Sequence, residues 1–144
     1  VRKNADWETP IASITKLMTG LVVIESGQPL DEWLTILKRH RKPPNNAYSR
    51  IRIGSRLKRG DLLRIALMSS ENLAAYTLAR HYEGGYDAFV KAMNHKAREL
   101  GMHSSQFVDP SGLSPENRST AADLARLAAA AYRQERLREY TTTG

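Results

Sequence analysis

The sequence has no cysteine. A disulfide framework and a thiolate metal site are therefore excluded, and the absence suits an oxidising compartment without requiring one. No apolar run approaches the roughly 20 residues that a membrane-spanning helix needs. His40, His81, His95 and His103 are scattered, with no His-x-x-x-His pair. That argues against zinc hydrolysis, and no metal or cofactor is expected. A Gly-x-Ser-x-Gly elbow is missing, which argues against an α/β-hydrolase. No signal peptide is visible, and Val1-Arg2-Lys3-Asn4-Ala5-Asp6 reads as the interior of something longer.

The 144 residues present are enough for one domain with a real core. The net charge is +7, with basic clusters at Lys38-Arg39-His40-Arg41-Lys42 and Arg56-Leu57-Lys58-Arg59. A solvated surface explains them most simply. A polyanionic partner is the other account: nucleic acid, an anionic lipid surface or an acidic wall polymer. No helix-turn-helix and no basic pattern interleaved with aromatics supports nucleic acid.

The stretch that carries chemistry is Pro10-Ile11-Ala12-Ser13-Ile14-Thr15-Lys16-Leu17-Met18-Thr19. Ile14, Leu17, Met18, Leu21 and Val22 follow a helical period, which predicts a helix starting at or near Ser13 and running to about Ser26. A spacing of three places Ser13 and Lys16 on one side of the first turn. There the Ser13 amide has no partner within the helix. The dipole and burial both favour a neutral Lys16, able to take the Ser13 proton. The plainer reading is an N-cap serine with a solvated lysine.

Further along, Trp33 to Leu37 and Tyr48 to Ile53 read as strands that pair in a small hairpin. Asp61 is placed as the N-cap of a helix apolar nearly all round, hence buried. Helices are expected from about Asn72 to Tyr82 and from Tyr86 to Leu100, the latter closed by Gly101. Residues 103–118 read as a loop. Thr120 with Asp123 resembles a capping box opening a helix through about Arg133, with Leu124, Leu127, Ala128 and Ala131 inward. The end from Gln134 is charged and then polar.

A second motif, Ser70-Glu71-Asn72, sits between two expected helices. Ser70 as a cap of the next helix is one account. The other has Ser70 and Asn72 facing Ser13 and Lys16 across a cleft, the hydroxyl relaying a proton and the amide holding the lysine and a substrate N–H.

Together these motifs resemble the low-molecular-mass penicillin-binding proteins, the serine D-alanyl-D-alanine peptidases, which pair Ser-x-x-Lys with Ser-x-Asn and a later Lys-Thr-Gly. Phe107-Val108-Asp109-Pro110-Ser111-Gly112-Leu113-Ser114 and Ser119-Thr120-Ala121 resemble the family's following loop and helix. Ser69-Ser70-Glu71-Asn72 and Tyr48-Ser49-Arg50 look most like its endopeptidase group. The resemblance implies an α+β fold of the serine β-lactamase/D,D-peptidase type, here the helical part with a short hairpin. It implies Ser13 as the acylated nucleophile, Lys16 as proton acceptor, Ser70 as proton shuttle and Asn72 as substrate-binding residue. The partners implied are peptidoglycan peptides and β-lactam antibiotics, with no nucleic acid. The location implied is the periplasm, with peripheral association with membrane or wall.

The sequence departs from the family in lacking Lys-Thr-Gly, since Thr142-Thr143-Gly144 has no lysine. Residues 1–144 are therefore expected to be an incomplete transpeptidase-like peptidase domain, inactive in isolation. Two alternatives stay open. A class A-like β-lactamase needs a loop glutamate, for which Glu116-Asn117 is the one candidate, with flanks that do not match. A basic, non-enzymatic helical module binding nucleic acid or wall polymer would rest on the charge alone.

Overall fold

The computed structural model describes residues 9–39, 49, 51–114 and 116–142, with backbone only at 9–13 and 141–142. Helix α1 (Thr9–Ser26) touches each of the other five helices, so the fold is built around it. Met18, Leu21, Val22 and Val23 are buried along it, as the helical period requires. Gly20 lets two neighbours come close. A Cβ there would stand 3.0 Å from Leu137 and 3.4 Å from Leu63 and Leu67.

The hairpin is present, but its second strand lies elsewhere. Strand β1 (Trp33–Thr35) pairs antiparallel with β2 (Arg56–Lys58), Leu34 opposite Leu57. Tyr48 and Arg50 lie outside the described residues, and residues 51–53 form a turn instead of a strand. Gly54, with φ +94°, bends the chain, and pairing to the first strand resumes where Ile36 N–H donates to Ser55 O at 2.8 Å. Ile53 is left exposed. Alternation alone does not make a strand when the ladder begins only after the turn.

Helix α2 (Arg59–Met68) starts ahead of Asp61, and Lys58 stands at the cap without a side-chain bond. It is not buried all round, because Arg64 and Met68 face solvent. The enclosed helix is α3 (Asn72–Arg80), buried continuously from Leu73 to Ala79. Its alanines at 74, 75 and 79 let neighbours approach on every side. Arg59 also departs from the solvated reading of the basic cluster. It is 2 % exposed and pairs with Glu32 at 2.7 Å, while donating to Pro29 O at 2.6 Å. This pins the hairpin to α2.

Helix α4 (Tyr86–Glu99) buries Phe89, Met93 and Ala97. Helix α5 (Ala121–Tyr132) buries Leu124, Leu127, Ala130 and Ala131, whereas Ala128 faces out. Thr120 caps it, accepting from Asp123 N at 3.1 Å. The Asp123 side chain does not complete the box, because it accepts from Ser104 N and Ser105 Oγ. The charged end forms a helix, α6 (Glu135–Thr142), with Leu137 and Tyr140 buried. Two apolar contacts one turn apart suffice to dock so short a helix. Among the described residues no helix is long and apolar enough to cross a membrane.

Candidate active site

The site is built on the start of α1. The helix begins four residues ahead of Ser13, so Ser13 and Lys16 stand past the first turn and not at it. The Ser13 side chain lies outside the described residues. Lys16 is 3 % exposed. Burial lowers its pKa from the usual 10.5, and the negative charges of Asp109 and Glu71 oppose that shift without cancelling it. Desolvation is therefore the cause, since a helix dipole fades within its first turn.

Ser69, Ser70 and Glu71 connect α2 to α3. Ser70 is exposed and has φ +49°, the one non-glycine residue at positive φ among those described. It does not cap the next helix. Glu71 does, its Oε1 accepting from Leu73 N at 2.7 Å and Ala74 N at 3.3 Å. Asn72 opens α3, and its Oδ1 is buried without a hydrogen-bond partner. A buried acceptor left unpaired costs about 1–3 kcal/mol, which a donor arriving at this point would recover. The charge of Glu71 reaches Lys16, where it acts to raise the pKa of the amine.

A loop is tied to α1 close to Lys16. Thr19, one turn beyond Lys16, donates to Pro110 O at 2.7 Å. The adjacent Asp109 organises the loop. Its Oδ1 accepts from Ser111 N, Ser111 Oγ and Gly112 N, and its Oδ2 from Ser114 N and Asn117 Nδ2, at 2.6 to 2.8 Å. Burial opposes ionisation of Asp109, but the hydrogen bonds from Ser111, Ser114 and Asn117 outweigh it and hold the carboxyl below the usual aspartate value. His103 is exposed, and Asp109 is the loop's hub. Asp-Pro-Ser-Gly is an aspartate-led turn signature that marks this role in the sequence itself.

Glu116 is exposed, its N–H bonded to Ser114 Oγ, while Asn117 is buried with Oδ1 accepting from Val108 N at 2.6 Å. Among the described residues there is no group of three or more His, Asp and Glu side chains that could hold a metal ion.

Residues 1–144 match throughout the family described as D-alanyl-D-alanine carboxypeptidase. The chain belongs to that family. It is 51% identical over 141 residues to a D-alanyl-D-alanine endopeptidase of Pseudomonas aeruginosa, covering 98% of this chain and 46% of that protein. To the D-alanyl-D-alanine endopeptidase of Escherichia coli it is 49% identical over 140 residues, covering 97% and 45%. The crystal structure of penicillin binding protein 6B from Escherichia coli superposes with a TM-score of 0.81 at 29% identity, covering 97% of this chain and 47% of that one. The chain thus spans about half the length of the curated relatives it matches. The α+β fold of the D-alanyl-D-alanine carboxypeptidase family, expected from the motifs, is the fold observed.

Proposed function

We propose that this chain carries the nucleophile half of a serine D,D-peptidase that cuts peptidoglycan stem peptides or their cross-links, and that penicillins inhibit. The observation that carries the reading is Lys16, a buried amine with a lowered pKa, three residues after a serine on the same helix. Ser13 Oγ attacks the carbonyl carbon of the penultimate D-alanine, and its proton passes to Lys16 Nζ. The C–N bond then breaks, and the departing amine takes the proton through Ser70 Oγ. Asn72 accepts a substrate N–H on its unpaired Oδ1. Water hydrolyses the Ser13 ester and restores the serine. A β-lactam follows the first half of the same course, and its ring amide opens.

Residues 1–144 are, in this reading, the helical part of a transpeptidase-like domain. The sheet wall with Lys-Thr-Gly is supplied by further sequence, which the doubled length of the relatives supports. Endopeptidase action is favoured by the names of the two relatives that are about half identical to the chain. The substrate places the enzyme in the cell envelope, and in the periplasm where an outer membrane is present.

The test is covalent labelling of the full-length protein by a fluorescent penicillin. Wild type should label and Ser13→Ala should not. Undiminished labelling of Ser13→Ala would assign the nucleophile to another serine.

A further inference from the structure

Glu71, the middle residue of the Ser70-Glu71-Asn72 turn, makes more bonds than a cap requires. Its Oε1 caps α3. Its Oε2 accepts from Ser49 Oγ at 3.0 Å, and Ser49 Oγ accepts from Ile51 N at 3.1 Å. One carboxylate therefore ties the start of α3 to a segment 22 residues earlier in the chain. Short side chains such as serine, threonine, aspartate and asparagine are the usual N-caps. Glutamate has one methylene more than aspartate, and that added reach brings its second oxygen to Ser49.

The residues on either side explain why such a tie is needed. Ser70 at φ +49° is in a conformation that costs a residue with a side chain about 1–2 kcal/mol. Such a residue persists only where its surroundings over-determine it. Asn72 keeps a buried acceptor unpaired. Left to itself, the turn would relax Ser70 and rotate the Asn72 amide toward a donor. The three hydrogen bonds to Glu71 oppose both movements.

We propose that Glu71 is a positioning residue of the Ser13 and Lys16 site: by gripping α3 with one oxygen and Ser49 with the other, it holds the turn that aims Ser70 and Asn72 at the reacting bond. The inference rests on the reading of the site given above. Glu71 carries out no step itself. It also sets charge, since Lys16 feels its carboxylate as it feels that of Asp109.

The experiment measures the acylation rate of the full-length protein by a fluorescent penicillin, against pH, in Glu71→Ala, Glu71→Gln, Glu71→Asp and Ser49→Ala. Glu71→Ala should slow acylation about tenfold to a hundredfold, the scale of a misplaced catalytic group. Glu71→Gln retains an acceptor for the α3 amides and a polar group for Ser49, and should recover most of the rate. Its acid limb should move to lower pH, because Lys16 loses a negative neighbour and gives up its proton more readily. Glu71→Asp keeps the cap and the charge but not the reach, so it should slow acylation as Ser49→Ala does, and combining the two should add nothing further. If Glu71→Ala does not fold, Glu71→Asp and Ser49→Ala decide. Wild-type rates in both would overturn the proposal, as would a Glu71→Gln that stays as slow as Glu71→Ala. Failure of the wild type itself to acylate, or labelling that survives Ser13→Ala, would instead overturn the site reading on which this inference stands.

Discussion

Thr19 and Pro110, 91 residues apart in sequence, are joined by a 2.7 Å hydrogen bond from the threonine hydroxyl to the proline carbonyl. Thr19 is fully buried. The bond fixes the loop of residues 108–117 to the face of α1 that carries Lys16, and it brings the Asp109 carboxylate into the field of that lysine.

Lys16→Met should raise thermal stability at pH 7 while abolishing acylation. Below its lowered folded pKa, the charged Lys16 penalises the fold in full. The penalty fades as pH rises through the folded pKa toward 10.5, because the unfolded chain then binds more protons than the native one. Wild type should therefore gain stability on the alkaline side of neutrality, and the methionine variant should lack that gain. Denaturant melts between neutral and alkaline pH measure it. An identical pH dependence in both proteins would mean that Lys16 is solvated.

Asp109→Ala should cost about 2–4 kcal/mol at pH 7, because it leaves several buried donors without an acceptor. The folded pKa of Asp109 is depressed, so its contribution is complete above the ordinary value of 3.8 and is lost as pH falls through the folded value. The gap between wild type and Asp109→Asn should accordingly narrow in acid. Urea midpoints at neutral pH and below 3.8 provide the comparison. A gap that is constant with pH would remove the charge from the explanation.

Glu32→Ala should destabilise less than Arg59→Ala. Glu32 is half exposed and can be replaced by water, whereas Arg59 is buried with two acceptors that would be left behind. Loss of the arginine should cost about 1–3 kcal/mol, because the Pro29 carbonyl is left without its donor. Amide exchange should quicken across β1 and β2 in the same variant, since this arginine pins them to α2. Protection unchanged in the hairpin would show that Leu34 alone anchors it.

Gly20→Val should cost about 1–3 kcal/mol by overpacking against Leu137, Leu63 and Leu67. The urea midpoint should fall with an unchanged slope. Truncating Leu137 to alanine in the same chain should recover part of the loss, because the added methyls would then have space. A valine variant as stable as wild type would mean that α1, α2 and α6 separate easily.

Helices α1 to α5 and the two short motifs could be read from the sequence, because both depend on local spacing. The apolar period of α1, α4 and α5 is written in each segment, and Ser13-x-x-Lys16 with Ser70-x-Asn72 is recognisable by residue type and order. The hairpin's second strand was not legible in the same way. Its register depends on where the chain turns at Gly54 and on which residues meet β1, not on the alternation of residues 48–53. Helix α6 is charged on its exposed side and owes its place to burial of Leu137 and Tyr140, which a local pattern does not announce. The capping role of Glu71, the burial of Arg59 and the five hydrogen bonds around Asp109 depend on partners brought together by folding. So does the lowered pKa of Lys16. The sequence determined that a serine and a lysine share a helix. Only the tertiary structure removed water from the lysine, and desolvation is what favours the neutral amine.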